Sequence, residues 1–298
     1  MKKKCMTRRD FLRAAALTPL AGAMAQGMMP SKLRSQALSR ARVVLVRDED
    51  ALIEYKKPDG EIIQSMLDQA VTSYFDEEDV VAAWKRIIRP SDIVGLKSNV
   101  WRYIPTTKEV ENAIIKRLMD VGVKRDNIGV DDRGVRRNPL FQTATALINA
   151  RPGRTHHWSG VGSLIKNYIM FVPSPPAYHG DSCADLAAIW DKDGLKEKTK
   201  LNVLVMLYPQ FHGTGPHSYN DKYIWEYKGI LVGEDPVAVD TIGLKILQAK
   251  RKKYFGEEKP LATSAKHVRL ADTRHGLGVG DPDRIELIKI GWQKDILI

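Results

Sequence analysis

The chain has 298 residues, and its 47 lysines and arginines against 36 aspartates and glutamates give a formal net charge of +11. About five of these net charges fall within residues 1–25, so the remainder carries only a modest basic excess. The densest basic segments there, 32–42 and 245–259, lack the interleaved aromatic residues of single-strand binders, which favours a solvated surface over a nucleic-acid partner.

Residues 1–25 have the three parts of an export signal. Arg8 and Arg9 follow a lysine-rich start, an alanine-rich apolar stretch comes next, and Ala23 and Ala25 form a small-residue cleavage site. The paired arginines favour the twin-arginine pathway, and the apolar stretch is too short to anchor in a bilayer. We therefore expect the twin-arginine translocase as a partner during export. We expect a periplasmic or otherwise exported protein that is soluble after signal removal, with no stable membrane span.

Cysteine is sparse, which limits the cofactors. Cys5 belongs to the leader, so Cys183 is the only thiol expected in the mature chain. One thiol excludes an internal disulfide, and a cysteine-held iron–sulfur cluster or structural zinc needs several. No iron–sulfur cluster is expected. Twin-arginine export of folded proteins still favours a cofactor of another kind.

Taken in chain order, the hydrophobic patterns predict a tether at 26–40 and a domain at 41–298, either single or as two closely packed halves, about 41–140 and 141–298. Short apolar runs predict strands, and three- and four-residue spacing predicts helices. Strands interleaved with helices indicate an α/β fold with a mostly parallel central sheet and helices on both faces. The predicted strands are 41–47, 92–97, 127–132, 145–149, 201–207, 228–233 and 284–290, and the predicted helices are 61–75, 77–88, 108–121, 160–171, 183–190, 236–249 and 262–274.

Polar side chains follow several predicted strands at their carboxyl ends. Lys97 and Asn99 follow one strand, Asp132 ends the next, and Asn149 ends a third. Ligands of open α/β sheets bind outside these strand ends, so a site is expected there. Simple solvation of polar loops explains the same pattern.

Histidines are concentrated in one part of the chain, since five of the seven lie between residues 156 and 217. Neutral imidazoles are common metal ligands, so we consider a divalent metal held by His156, His157, His212 and His217. Neither HExxH nor CxxC is present, and capping or surface roles account equally for single histidines.

A turn of small residues follows His156 and His157 and is expected to open the helix at 160–171. Free N–H groups at such a helix start, with Lys166 one turn further on, suit a phosphate or carboxylate. A tight strand-to-helix connection explains the glycines equally well.

Several motifs, taken in order along the chain, resemble the domain of unknown function 362 family. The most specific are Asp-Pro-Val-Ala-x-Asp at 235–240 and Thr-His followed by Gly-x-x-x-Lys-Asn within 155–167. The others are Val-Gly-Leu-Lys-Ser-Asn at 94–99, Thr-Thr at 106–107, Gly-Val-Asp-Asp at 129–132, Gly-Ile-Leu-Val-Gly at 229–233 and Gly-Leu-Gly-Val-Gly at 276–280.

The resemblance implies a shared site near Lys97, His156, Lys166, Asn167 and Asp240. Many family members carry ferredoxin-like cysteine clusters that this sequence lacks, so an electron-transfer role does not carry over. Asp235 also has a structural interpretation, because aspartate followed by proline is a typical helix start.

Together these observations lead us to expect an exported enzyme that acts on a small anionic substrate or cofactor. Its catalytic residues would be Lys97, His156, Lys166 and Asp240, with Asn99, Asp132 and Asn167 binding a cofactor that the sequence does not identify. The alternatives are a non-catalytic ligand- or cofactor-binding protein and an accessory partner of a membrane-associated redox complex.

Overall fold

The computed structural model describes residues 40–213 and 219–298, so the predicted leader, most of the tether and His217 lie outside it. An eight-stranded sheet organises the described residues, and a separate hairpin pairs two short strands. The strands are β1 Ala41–Arg47, β2 Leu52–Glu54, β3 Lys57–Pro58, β4 Val94–Lys97, β5 Ile128–Asp131, β6 Ala146–His156, β7 Gly160–Gly162, β8 Thr199–Gln210, β9 Gly229–Gly233 and β10 Ile285–Gly291.

The longer helices start and stop at the residues that their capping chemistry favours. The Asp59 carboxylate accepts from two N–H groups at the start of α1, and Gly122 ends α3 in the left-handed conformation. The helices are α1 Gly60–Phe75, α2 Val80–Lys85, α3 Lys108–Val121, α4 Pro139–Gln142, α5 Leu164–Asn167, α6 Gly180–Cys183, α7 Leu195–Lys198, α8 Pro236–Phe255 and α9 Lys266–Thr273.

The central sheet is mixed but mostly parallel, which confirms the predicted fold class. Its strand order is β10-β1-β9-β8-β6-β4-β5, with β7 paired to β6. Because β9 is antiparallel to both β1 and β8, those two strands run in the same direction. β10, β6, β4 and β5 join them through parallel pairs, so six strands share one carboxyl edge.

Helices cover both faces of this sheet, as alternate residues of β1 show. Val44 and Val46 belong to the core under α1, α2 and α3, whereas Val43 and Leu45 belong to the core under α8. All four side chains are fully buried, as expected for a strand covered on both sides. In the described ranges, none of the helices has the length and apolar character needed to cross a membrane.

Around the histidine segment, the predicted length of one strand and the predicted helix that follows it were wrong. The strand expected at 145–149 continues to His156, because β6 pairs with β8 and β7 along its length. The helix expected at 160–171 begins instead as strand β7, and only one short α-helical turn, α5, follows. His156 therefore sits in a β-hairpin and not before a helix.

Candidate functional site

The polar strand ends predicted from the sequence meet at the carboxyl edge of the sheet. Lys97, the last residue of β4, lies beside Asp131 of β5 on one side and Asn149 of β6 on the other. Asp132 follows β5 directly, and β6 continues past this level to carry further polar residues. Parallel pairing thus brings together side chains that are far apart in sequence.

Lys97 and Asp132 form a buried ion pair at the base of the site. The Lys97 ammonium is fully buried and donates to Asp132 Oδ1 at 2.5 Å, to the Ser98 carbonyl at 2.8 Å and to Asn167 Oδ1 at 3.3 Å. Burial lowers the pKa of Lys97 to about 8, against the opposing effect of Asp132. Burial alone would raise the pKa of Asp132, but the Lys97 charge lowers it overall.

Asn167 and Asn99 have different surroundings. The Asn167 amide donates to Asn149 Oδ1 at 2.8 Å, and Asn149 donates in turn to Asn202 Oδ1 at 2.9 Å, which continues the polar network inward. Asn99 is buried, and its Oδ1 has no hydrogen-bond partner among the described residues. Both asparagines line the same cavity as Asp132, so the three predicted cofactor-binding residues are brought together.

A cavity of about 290 Å³ opens above this ion pair. Its walls carry three buried cationic side chains and a single acidic one, Asp132, which Lys97 already neutralises. Such a cavity attracts anions, since water screens charges poorly there. The lining residues are Asn99, Trp101, Asp132, Arg133, Arg151, Arg154, His156, Trp158, Lys166, Asn167, Ile169, Met170, Pro175 and His179.

The two arginines of β6 are buried with unused hydrogen-bond donors. Arg154 is 3% exposed, and neither its Nε nor its Nη1 has a hydrogen-bond partner in the described part of the chain. Its guanidinium carbon lies 4.1 Å from the centre of the Trp101 ring. Arg151 Nη1 donates to the Ser163 carbonyl at 3.2 Å, and its Nε is unpartnered. Burial lowers the pKa of Arg151 to about 10 and that of Arg154 further.

Lys166 is the third buried cation, and no carboxylate of residues 40–213 or 219–298 forms an ion pair with it. Its Nζ lies 3.7 Å from Cys183 Sγ, and the Cys183 thiol contacts the Trp158 carbonyl at 3.5 Å. Burial, with a further contribution from the charges of Arg151 and Arg154, lowers the pKa of Lys166 to about 8. The amine therefore releases its proton more readily than an exposed lysine does.

Of the three proposed metal ligands that the structure describes, His156, His157 and His212, only His156 lines the cavity. Its Nδ1 accepts from the Trp158 N–H at 3.2 Å, and its ring stacks on His157 at 4.8 Å. Burial and the neighbouring cations lower the pKa of His156 far below its usual range, so the ring is neutral. His212 lies at the end of β8, with Nδ1 2.8 Å from Arg251 Nη1.

A metal centre is not assembled by these residues. His217 lies outside the described residues, and within 40–213 and 219–298 no three histidine, cysteine, aspartate or glutamate side chains are placed to hold a metal ion. His179, which the sequence placed in the same histidine-rich stretch, does line the cavity and packs against Trp158 at 4.0 Å.

Asp240 lies behind the site and not on its wall. Its two carboxylate oxygens accept from the N–H groups of Leu164 and Ile165, each at 2.9 Å, so it holds the start of α5. Asp235 accepts from Val237 N–H at 2.8 Å at the start of α8, which confirms the predicted cap. Asp240 thus positions the segment that carries Lys166.

Arg151, Arg154, Trp101 and Trp158 are cavity residues that motif analysis did not select. Arginines in a segment that is predicted to be a loop are expected to be exposed, so nothing in the sequence pattern indicates that they are buried. Had the strand been extended past Pro152, two arginines within a buried parallel strand would have marked a charged site.

Fold and site together define an α/β protein with a buried cationic cavity at the carboxyl edge of its sheet. The chain belongs to the family described as Domain of unknown function (DUF362), whose model matches residues 94–245. The matched region includes every residue that lines the cavity. No curated protein and no solved structure matches the chain.

Proposed function

We propose that this protein is an enzyme that binds a small organic anion in the cavity above Lys97 and Asp132. The observation that carries the proposal is the Arg154 guanidinium, which is buried and belongs to a residue of the cavity wall. Among the described residues it pairs with no carboxylate, and two of its nitrogen donors have no partner. A buried charge of this kind destabilises the unliganded fold, and a bound carboxylate or phosphate would pair with it and offset that cost.

The chemistry of the other lining groups supports a reaction rather than binding alone. His156 is neutral and Lys166 has a lowered pKa, so the cavity offers a proton donor or acceptor and an amine that is partly uncharged near neutral pH. Lys97 is less suited to a proton-transfer role than the sequence suggested, because a carboxylate and two carbonyl oxygens surround its ammonium.

Calorimetric titration of the full chain with inorganic phosphate and with acetate tests anion binding. We expect saturable binding that weakens at least tenfold in Arg154→Gln, because glutamine removes the charge and keeps a polar side chain. Arg136→Gln is the control, since Arg136 is exposed and does not line the cavity. Equal affinities in all three proteins, or no binding in any, would refute the proposal.

A non-catalytic anion-binding protein is the second candidate. The buried network from Lys97 through Asn167 and Asn149 to Asn202 favours it, because these groups are held by one another and are suited to shaping a fixed cavity. Turnover separates the two functions. An enzyme converts one of a panel of small carboxylic and phosphorylated acids, whereas a binding protein releases every bound acid unchanged.

Export by the twin-arginine pathway is a further part of the proposal, supported by Arg8, Arg9 and the cleavage motif at Ala23 and Ala25. Replacing both arginines with lysine in the full chain keeps the charge and should retain the protein in the cytoplasm of a bacterial host. Equal amounts of wild type and variant in the periplasmic fraction would contradict this route.

A further inference from the structure

Two buried lysines lie close to the cavity, and their surroundings differ in a way that bears on reactivity. Lys97 donates to a carboxylate, a backbone carbonyl and an amide oxygen, so its three N–H bonds are all engaged. Within the described part of the chain, Lys166 Nζ has one hydrogen-bond contact, the Cys183 sulfur at 3.7 Å, and the residue is 3% exposed. Burial lowers the pKa of both lysines to about 8, but three oxygen acceptors engage Lys97 Nζ, whereas Lys166 Nζ has only a thiol beside it.

The neighbouring arginine charges favour the neutral form of Lys166, against the opposing effect of the Cys183 thiol. Arg151 and Arg154 line the same cavity, and both disfavour a positive charge on Lys166 Nζ. With a pKa of about 8, about one Lys166 side chain in ten is an uncharged amine at pH 7, compared with about one in three thousand for a lysine at the ordinary value of 10.5. An uncharged, desolvated amine is a nucleophile toward carbonyl carbon.

The guanidinium groups select the carbonyl compounds that reach this amine. Arg151 and Arg154 line the cavity that Lys166 also lines, so their guanidinium groups can bind a carboxylate within reach of the amine. A 2-oxo acid has its carbonyl carbon directly bonded to its carboxylate. The cavity volume of about 290 Å³ is at the small end for ligand sites, which suits an acid of a few carbon atoms.

Building on the anion site proposed above, we infer that Lys166 forms an imine with a small 2-oxo carboxylic acid whose carboxylate binds Arg151 and Arg154. The neutral Lys166 nitrogen attacks the carbonyl carbon, and a proton moves from nitrogen to oxygen to give a carbinolamine. The hydroxyl then takes up a proton and leaves as water, which forms the protonated imine. No electrons are exchanged with an outside reagent.

His156 is placed to assist the loss of water. Its Nδ1 accepts a hydrogen bond from the Trp158 N–H, so the neutral ring carries its proton on Nε2. The ring lines the same cavity as Lys166, and its Nε2–H can donate a hydrogen bond to the departing hydroxyl, which takes its proton from solvent. The imine lies at the second carbon of the acid and makes the C–H bonds of its third carbon more acidic. Carbon–carbon bond formation or cleavage at the third carbon requires this increase in acidity.

Reductive trapping tests the inference directly. The full chain is incubated with pyruvate and sodium cyanoborohydride, which reduces an imine to a stable secondary amine, and the modified residue is found by peptide mass spectrometry. We expect one pyruvate-derived adduct, located on Lys166 and absent from Lys166→Arg. Acetone, which has the carbonyl but no carboxylate, should label Lys166 at least tenfold more slowly.

Arg154→Gln is a second variant, which keeps Lys166 and therefore tests the inference even if Lys166→Arg does not fold. It should reduce the labelling rate with pyruvate at least tenfold, and by a larger factor than the rate with acetone, because acetone has no carboxylate for the guanidinium to bind. Labelling spread over exposed lysines, or equal rates for pyruvate and acetone, would overturn the inference. Phosphate binding without labelling would refute imine formation and leave the anion site intact, whereas failure of both phosphate and pyruvate to bind would refute the anion site itself.

Discussion

The same substitution at two buried arginines should change the free energy of unfolding in opposite directions. Arg154 and Arg251 are 3% and 2% exposed, so both side chains are almost completely removed from water. Arg251 donates to the carbonyls of Phe211, Lys259 and Pro260 at 2.7–3.2 Å. Arg154 has only its contact with Trp101 and two nitrogen donors without hydrogen bonds.

The magnitudes follow from these partners. An unsatisfied buried donor destabilises a fold by about 1–3 kcal/mol, and a cation–π contact contributes about 0.5–2 kcal/mol. Arg154→Met removes both, so we expect the free energy of unfolding to rise by about 1–2 kcal/mol in phosphate-free buffer. Arg251→Met leaves buried carbonyl oxygens without their donors, and we expect a loss of about 3 kcal/mol or more.

Urea unfolding of the full-length proteins, followed by tryptophan fluorescence and extrapolated to water, measures both effects. Phosphate supplies a second reading, because an anion that binds only the folded wild type stabilises it by about 2.7 kcal/mol at a hundred times the dissociation constant. Rising phosphate should therefore reverse the order of wild type and Arg154→Met. If Arg154→Met loses more than about 1 kcal/mol without phosphate, its guanidinium is satisfied in the native state and the reasoning fails.

Three further predictions test the groups around the cavity. Burial raises the pKa of Asp240 from 3.8 to about 6, so the folded state binds this proton more tightly. We expect the free energy of unfolding, relative to Asp240→Asn, to fall by about 2 kcal/mol from pH 4 to pH 6, and a rise in urea unfolding experiments would contradict the shift. Gly160→Ala should lower the free energy of unfolding by about 2 kcal/mol or more, because φ is +72° and a Cβ would lie 2.4 Å from the Thr263 carbonyl oxygen. Gly162→Ala should have the smaller effect, because its Cβ would have no atom closer than 3.3 Å. Equal losses of melting temperature in the two variants would argue against backbone strain at Gly160. Trp101→Leu should weaken phosphate binding about 2- to 30-fold by removing the ring against Arg154, and unchanged affinity in calorimetry would show that the ring does not position the guanidinium.

Much of the fold was predictable because its signals are local. The apolar run at 41–47 and the helical spacing at 108–121 match β1 and α3 residue for residue, and each pattern fits within a few turns or one strand. The predicted meeting of Lys97 and Asp132 also follows from the chain alone, since parallel strands place their carboxyl ends at one edge.

The walls of the cavity were harder to predict, because long-range pairing determines them. Pro152 and Gly153 indicate a break in the strand, yet β6 runs through both, with β8 alongside. A Cβ on Gly153 would lie 2.2 Å from Met206 Sδ, so the glycine permits close packing that its neighbours in sequence do not reveal. This continuation turns Arg154 from a loop residue into a buried one.

The position of β1 has a consequence for how the protein folds. Its two partners are β9, Gly229–Gly233, and β10, Ile285–Gly291, so the first long strand of the domain pairs only with strands near the end of the chain. During synthesis one edge of β1 stays open until β9 has been made and the other until β10 has been made, and such distant pairing slows folding. A nascent or truncated chain that ends before residue 285 would expose an unpaired edge to other chains. Pairing of β10 with β1 is therefore the step that covers the second edge of β1.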